Sequence, residues 1–306
     1  DPGVVPNLLN LGSGSPCGLI MYQGGMIKKL QGSLLHAEAL HHVLRAYKPS
    51  QQNATVSATN LNVIKQNEDD WFRPVDIAAA PDGSLFIADW YDPGVGGHYA
   101  GDQTKGRIYR LASKANAYKI PTFDKTKNED IVQGLSSPNL SIRSLSQLRL
   151  RALGKEAITL LQPVLENADQ ELKSRALFIL GDLDQSYIEL ALNDKNEDIK
   201  IAGLRMARQD NATSAALAIN TLLSQENSDK VWRECAIALR NTSKKDRIQL
   251  WPKLASRYQK SDRWFLEALG IGADGIWDEV MPLYLNTHKD ISLDYVQEIL
   301  WRSRSK

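Results

Sequence analysis

The apolar residues of this chain change period once, near Leu111, and that change limits what the chain can fold into. Before it, short runs alternate polar and apolar side chains, as strands with one buried face require. After it, apolar residues recur at three- and four-residue spacing, as on one face of a helix. One layer cannot satisfy both periods, so a two-domain α+β chain is expected. Strands occupy 1–112, a polar connector with one proline, "SKANAYKIPTFDKTK", covers 113–127, and helices fill 128–306.

The strand half reads as two similar units. "CGLIMYQGG", "GSLLHAEA", "HHVLRAYKP" (closed by its proline) and "ATVSATNLNVI" make the first. "RPVDIAAA", the turn "PDGS", "LFIADW" and, after a glycine-rich loop, "GRIYRLA" make the second. Four short strands in about 40 to 50 residues fit a propeller blade better than a sandwich. A ring needs at least about four blades, so this half is expected to be a partial β-propeller of two.

The helical half repeats a pair. "SIRSLSQLRLRALG", "ELKSRALFILGDL", "DIKIAGLRMARQ", "KVWRECAIALRN" and "DRWFLEALGIG" are amphipathic, and most are followed by a second helical stretch such as "KEAITLLQPVLEN" or "IWDEVMPLYLNT". Arg143, Arg175, Lys200, Arg233 and Arg263 recur near the helix starts and are expected to bridge repeats or cap carbonyls. Pairs of about 25 to 35 residues predict an α-solenoid of HEAT-like repeats. Trp232, Trp251, Trp264, Trp277 and Trp301 are expected to pack between them.

Chemistry concentrates around the loop "DWYDPGVGGHYAGD". Propeller sites lie where innermost strands and their loops converge on the channel mouth. With "RPVDIAAA" innermost, Arg73 and Asp76 stand near that mouth, where a planar guanidinium clamps a carboxylate or a quinone oxygen. A structural ion pair of Arg73 with Asp76 or Asp89 is the competing reading. Asp89, Asp92 and Asp102 offer the hard oxygen donors that calcium takes, and the glycines allow tight folding round an ion. The spacing matches no EF-hand, and Asp-stabilised turns explain the same residues. His98, the loop's one histidine, is a candidate base or oxygen-binding group, or a structural hydrogen-bonding residue. His41 and His42, read as neighbours on one strand, point to opposite faces and with His36 make no metal set.

Several classes are excluded. A net charge of +1 is too small for a polyanion binder, so no nucleic-acid partner is expected. No apolar run reaches the roughly 18 residues of a membrane span. Cys17 and Cys235 are too few for a disulfide framework or zinc site and are expected to be small buried hydrophobes; no CxxCH motif attaches haem. GxSxG, P-loop and HExxH patterns are missing from the sequence.

"GSGSPCGLIMYQGG", "WFRPVDIAAAPDGSLFIADWYDPGVGGH", "GRIYRL", "DRWFLEALGIGADG" and "ILWRSRS" resemble the large membrane-bound dehydrogenases of planctomycete and verrucomicrobial type. The resemblance covers nearly the whole chain. It implies the last blades of a six-bladed propeller similar to quinoprotein sugar dehydrogenases, then HEAT-like repeats, with a c-type haem domain or cytochrome as electron acceptor. It further implies a periplasmic or outer-surface location, a carbohydrate-type or alcohol substrate, and pyrroloquinoline quinone with calcium as cofactors. Arg73 and Asp76 would then be cofactor contacts. The earlier blades and the haem domain lie outside this chain, so the chain alone is expected to be inactive. A non-enzymatic glycan- or protein-binding scaffold is the alternative.

Overall fold

A computed structural model describes residues 2–65, 69–94, 104–114, 117–225, 227–259 and 261–303. The chain divides into two compact units. A sheet unit comprises Leu8–Ser50 and Ser57–Arg149, and a helical unit comprises Asp1–Asn7, Gln51–Val56 and Leu150–Lys306. Among the described residues, seven strands in two antiparallel sheets precede twelve α-helices, so the protein is a two-part α+β chain.

In the sheet unit, β1 (Pro16–Met21), β2 (Leu34–Glu38), β3 (Val43–Gln52) and β4 (Thr55–Lys65) pair in chain order. β5 (Pro74–Ala79), β6 (Leu85–Asp89) and β7 (Arg107–Leu111) make the second sheet, in which three strands, not four, are described. The sheets pack through β1 and β2 against β5. Register explains the alternation: Leu35↔Ala46, Ala37↔Leu44 and Ile77↔Ile87 turn inward, and Leu35, Leu44, Ile77, Leu85, Ile87 and Tyr22 form the core. The opposite faces carry Leu19↔His36↔Arg45 and Ala88↔Ile108; Leu19 and Ile108 are 67% and 76% exposed.

Pro49 does not end β3 as its sequence position predicts. β2 pairs with β3 only as far as Tyr47, so beyond it the strand has lost that neighbour and a missing N–H is tolerated. His41 and His42 also depart from the strand reading, because they lie in the β2–β3 turn and His42 takes a φ of +53°. Cys235 is fully buried as expected, whereas Cys17 is only half-buried on β1.

The "PDGS" turn joins β5 to β6. Gly83 has φ +86°, and a Cβ on it would overlap the Gly24 carbonyl oxygen. The buried Tyr22 hydroxyl donates to the Gly83 carbonyl at 2.5 Å and accepts from Ile27 N at 2.9 Å. Gly83→Ala meets both the left-handed backbone penalty and this overlap, and is expected to destabilise by about 2–3 kcal/mol in urea denaturation. In the same turn Asp82 accepts from Ser84 N, Ser84 Oγ and Arg110 Nη2, the last at 2.7 Å. Burial alone would raise this carboxyl, but those Ser84 and Arg110 contacts outweigh it and hold Asp82 below its ordinary range. A depressed carboxyl contributes stability above its unfolded value, near about 3.9, and loses that contribution as pH falls through the folded value. Asp82→Asn is therefore expected to flatten the acid limb of the stability curve by up to about one proton taken up on unfolding.

Two helices, the short α1 (Asn128–Gly134) and the longer α2 (Leu140–Leu153), follow the strands, and α1 with α2 as far as Arg149 belongs to the sheet unit. The helical unit continues with α3 (Lys155–Asn167), α4 (Gln170–Leu183), α5 (Ser186–Leu192), α6 (Glu197–Asp210), α7 (Ala212–Leu223), α8 (Asp229–Ala238), α9 (Lys244–Ala255), α10 (Arg263–Gly272), α11 (Trp277–Thr287) and α12 (Asp294–Arg302). The seven-residue α5 is too short to give a period in sequence. Asp169, Asn196, Asn211, Ser243 and Asp262 cap their helices by accepting backbone N–H groups, which is why a polar residue precedes each. Contacts run α4–α6–α8–α10–α12 along one row and α5–α7–α9–α11 along another.

Polar contacts tie neighbouring helices and their connections together. Arg151 Nε reaches Asp182 at 2.6 Å and Arg205 reaches Glu234 at 3.2 Å. Lys173 reaches Asp194 at 2.6 Å, and Lys200 donates to Asn227 at 2.8 Å. Arg233 donates to the carbonyl of Ala54 at 2.6 Å, where Ala54 is fully buried. At the end of the first row lies a buried cluster. Glu267 Oε2 accepts from Arg302 Nε at 2.5 Å and from Gly3 N at 2.8 Å, and Arg263 Nη2 sits 2.7 Å from Oε1 as an ion pair rather than an aligned hydrogen bond. Trp232, Trp251 and Trp277 are buried as expected; Trp301 is 46% exposed and carries the Arg263 guanidinium 4.5 Å above its ring.

Candidate functional site

Strand β5 pairs with β6 so that Pro74 faces Asp89, with a bulge between Pro74 and Asp76. That register sets Arg73, just before β5, beside the start of the loop that follows β6. Trp90 N donates to Arg73 O at 2.9 Å and Asp92 N to Trp71 O at 3.0 Å, extending the pairing past the strand ends. Tyr91 turns the chain with φ +52° and is covered by the Arg107 guanidinium, 3.6 Å from its ring centre.

Arg73 is buried, and four of its five side-chain N–H groups are used inside the unit. Nε donates to Asp92 O at 2.9 Å, Nη2 to Pro93 O at 2.9 Å, and Nη1 to Ala39 O at 2.9 Å with a longer contact to Leu40 O at 3.5 Å. Nη1 also lies 3.0 Å from His42 Nε2, whose ring Nδ1 is 2.7 Å from Phe72 O. The geometry fixes the roles. Phe72 O can only accept, so Nδ1 carries the hydrogen and Nε2 accepts from the guanidinium. One arginine thus clasps the β2–β3 turn to the loop after β6.

The carboxylates are occupied in the same manner. Asp89 Oδ1 accepts from Arg73 N at 2.8 Å and Tyr91 N at 3.0 Å, whereas its buried Oδ2 has no partner among the described residues. Asp92 Oδ1 accepts from Gly94 N at 2.7 Å and Oδ2 from Trp90 Nε1 at 3.2 Å. Asp76 is exposed, and its Oδ1 accepts from the neighbouring Ile77 N at 2.8 Å. Arg73 and Asp76 share no partner, and the expected ion pair of the Arg73 guanidinium to Asp76 or Asp89 is replaced by bonds to carbonyls. Asp89 meets the arginine only through its backbone amide. His98 and Asp102 lie outside the described residues.

A quinone needs free donors, and calcium needs about six to eight oxygen ligands. Arg73 keeps a single N–H on Nη2 beyond its bond to Pro93 O, Asp92 has both oxygens engaged, and no group of three His, Cys, Asp or Glu side chains able to hold a metal occurs among the described residues. The described residues therefore do not fit either group. Arg73 and Asp92 build the loop's base.

Sequence reasoning passed over His42, which joins the Arg73 network from 31 positions away. It also passed over Arg240 and Arg302, which line a cavity in the helical unit with the "GIGADG" stretch. Periodicity carried no signal for either, although the strings "GIGADG" and "ILWRSRS" contain half of that cavity's lining residues.

No helix among the described residues is long and apolar enough to cross a membrane. Among curated proteins nothing matches the chain, and among solved structures nothing matches it. Residues 11–115, the strand half with the candidate loop, match DUF7133, a family described as a domain of unknown function.

Proposed function

We propose that the chain is a non-catalytic portion of a periplasmic or outer-surface quinoprotein-like dehydrogenase that oxidises a sugar or alcohol. In this reading the sheet unit supplies two blades of a β-propeller. The helical unit is a HEAT-like array that docks a haem-bearing electron acceptor. The observation that carries it is the pair of sheets packed through β1 and β5, with Leu19 and Ile108 exposed on faces turned away from the shared core. Members of a ring need apolar side chains on both faces; a closed two-sheet sandwich needs them on one. The two helix rows support the array, because repeat units bury their apolar faces only on neighbours.

With most Arg73 donors and both Asp92 carboxylate oxygens engaged, oxidation in this reading falls to other parts of the enzyme, and the same engagement equally favours the scaffold reading, in which the propeller binds a glycan or protein. Dye reduction separates the two. The natural polypeptide that bears this chain, supplied with pyrroloquinoline quinone and calcium, is expected to reduce a redox dye when a sugar or alcohol is added. The 306-residue chain alone is expected to give no reduction. A folded parent polypeptide inert across a broad panel of sugars and alcohols would establish the scaffold instead.

A further inference from the structure

A cavity of about 540 Å³ opens in the helical unit between the α10–α11 connection and the start of α12's last turn, lined by Arg240, Gly270, Asp274, Trp277, Asp278 and Arg302 among others. Its size suits a small organic ligand. Arg302 is only 8% exposed, and its Nε is held by Glu267. Its two Nη nitrogens have no partner among the described residues, although the side chain lines the cavity. Neither nitrogen is among the sealed, unpartnered polar atoms, so both reach the open space of the cavity, where an acceptor can meet them. Gly270 makes the placement possible, since a Cβ there would overlap the guanidinium.

The rest of the wall supplies the complement. Arg240 is exposed and has no partner among the described residues, which puts a second unspent guanidinium on the same cavity. Asp274 and Asp278 are exposed carboxylates whose side chains are likewise unpartnered, whereas Glu279 is engaged by Lys244 at 2.6 Å. The connection that carries Asp274 is fixed by Arg247, which donates to the Asp274 carbonyl at 2.6 Å. Trp277 gives an apolar wall, itself braced edge-on by Trp251 with ring centres 5.4 Å apart. Two open guanidiniums and two open carboxylates in one cavity match a ligand that has both an anionic and a donor end.

We propose that this cavity binds a small carboxylic acid with a hydrogen-bond donor on the adjoining carbon, an α-amino or α-hydroxy acid. Arg302 and Arg240 take the carboxylate, because planar forks recognise carboxylates in pairs of charge-assisted bonds. Asp274 and Asp278 take the ammonium or hydroxyl donor. The site is independent of the sheet unit and of the dehydrogenase reading.

The test uses the folded 306-residue chain, nitrogen-15 labelled, and follows the Trp277 indole N–H signal, assigned through Trp277→Phe. L-alanine, L-lactate and acetate are titrated separately to about 20 mM, a range that captures even millimolar affinity. Alanine or lactate is expected to give a saturating shift, and acetate to bind about tenfold more weakly or worse. Alanine alone would identify an amino acid site, lactate alone a hydroxy acid site. Arg240→Ala, which removes an exposed and unpartnered side chain, is expected to weaken the better ligand about tenfold or more. Asp278→Asn is expected to erase its advantage over acetate. No shift with any of the three acids, equal binding of acetate, or undiminished binding by Arg240→Ala would overturn the proposal.

Discussion

Replacing Arg73 with alanine is expected to cost the sheet unit about 4 kcal/mol, because the buried carbonyls it serves lose their donors together. Ala39 and Asp92, both buried, and the exposed Pro93 each accept from it at 2.9 Å. Arg73→Lys keeps the charge without the fork and is expected to recover less than half of the loss. Arg107→Ala, which removes the half-buried cation over Tyr91 with its bond to the Tyr109 hydroxyl and its 3.9 Å ion pair to Asp69, should stay within about 1 kcal/mol. Urea denaturation of the full chain, with hydrogen exchange at the amides of β2 and β6, separates these outcomes. A stable Arg73→Ala protein with unchanged exchange would show that the side chain is kept for a ligand after all.

The second large effect belongs to Glu267 and Arg302. Arg302→Ala leaves Glu267, 4% exposed, with only Arg263 and the Gly3 amide, and Glu267→Ala strands a guanidinium that is 9% exposed. Breaking a buried pair from one side costs about 3–5 kcal/mol, and each single variant is expected to fall in that range. Replacing both by methionine is expected to restore most of the stability, since two apolar side chains need no partner. The Gly3 amide, which also uses Glu267, limits full recovery. A double-mutant cycle by thermal denaturation measures the coupling directly, and additive losses would place the stabilisation outside the pair.

The alternation in "RPVDIAAA" and "LFIADW" placed β5 and β6 correctly because one face of each is buried, and burial is what a period of two records. The Asp-Gly turn between them was legible for a related reason: Gly83 occupies a backbone region that other residues avoid. The role of Arg73 was not legible. Its acceptors are backbone carbonyls at Ala39, Leu40, Asp92 and Pro93, and any residue type offers a carbonyl. α12 misleads in another way. Hydropathy predicts Trp301 inward and Arg302 outward, yet Trp301 is 46% exposed and Arg302 is buried against the Glu267 carboxylate. Contacts of this kind join positions 35 apart through polar atoms and leave no period in the sequence.

The chain passes between its two units at 7/8, 50/51, 56/57 and 149/150. Neither unit is therefore a contiguous cassette that recombination can move with a single crossover at each end. A helical segment transplanted without residues 51–56 would arrive with Arg233 facing an unfilled socket where Ala54 belongs. Strands and helices in this protein are thus expected to be inherited as one piece.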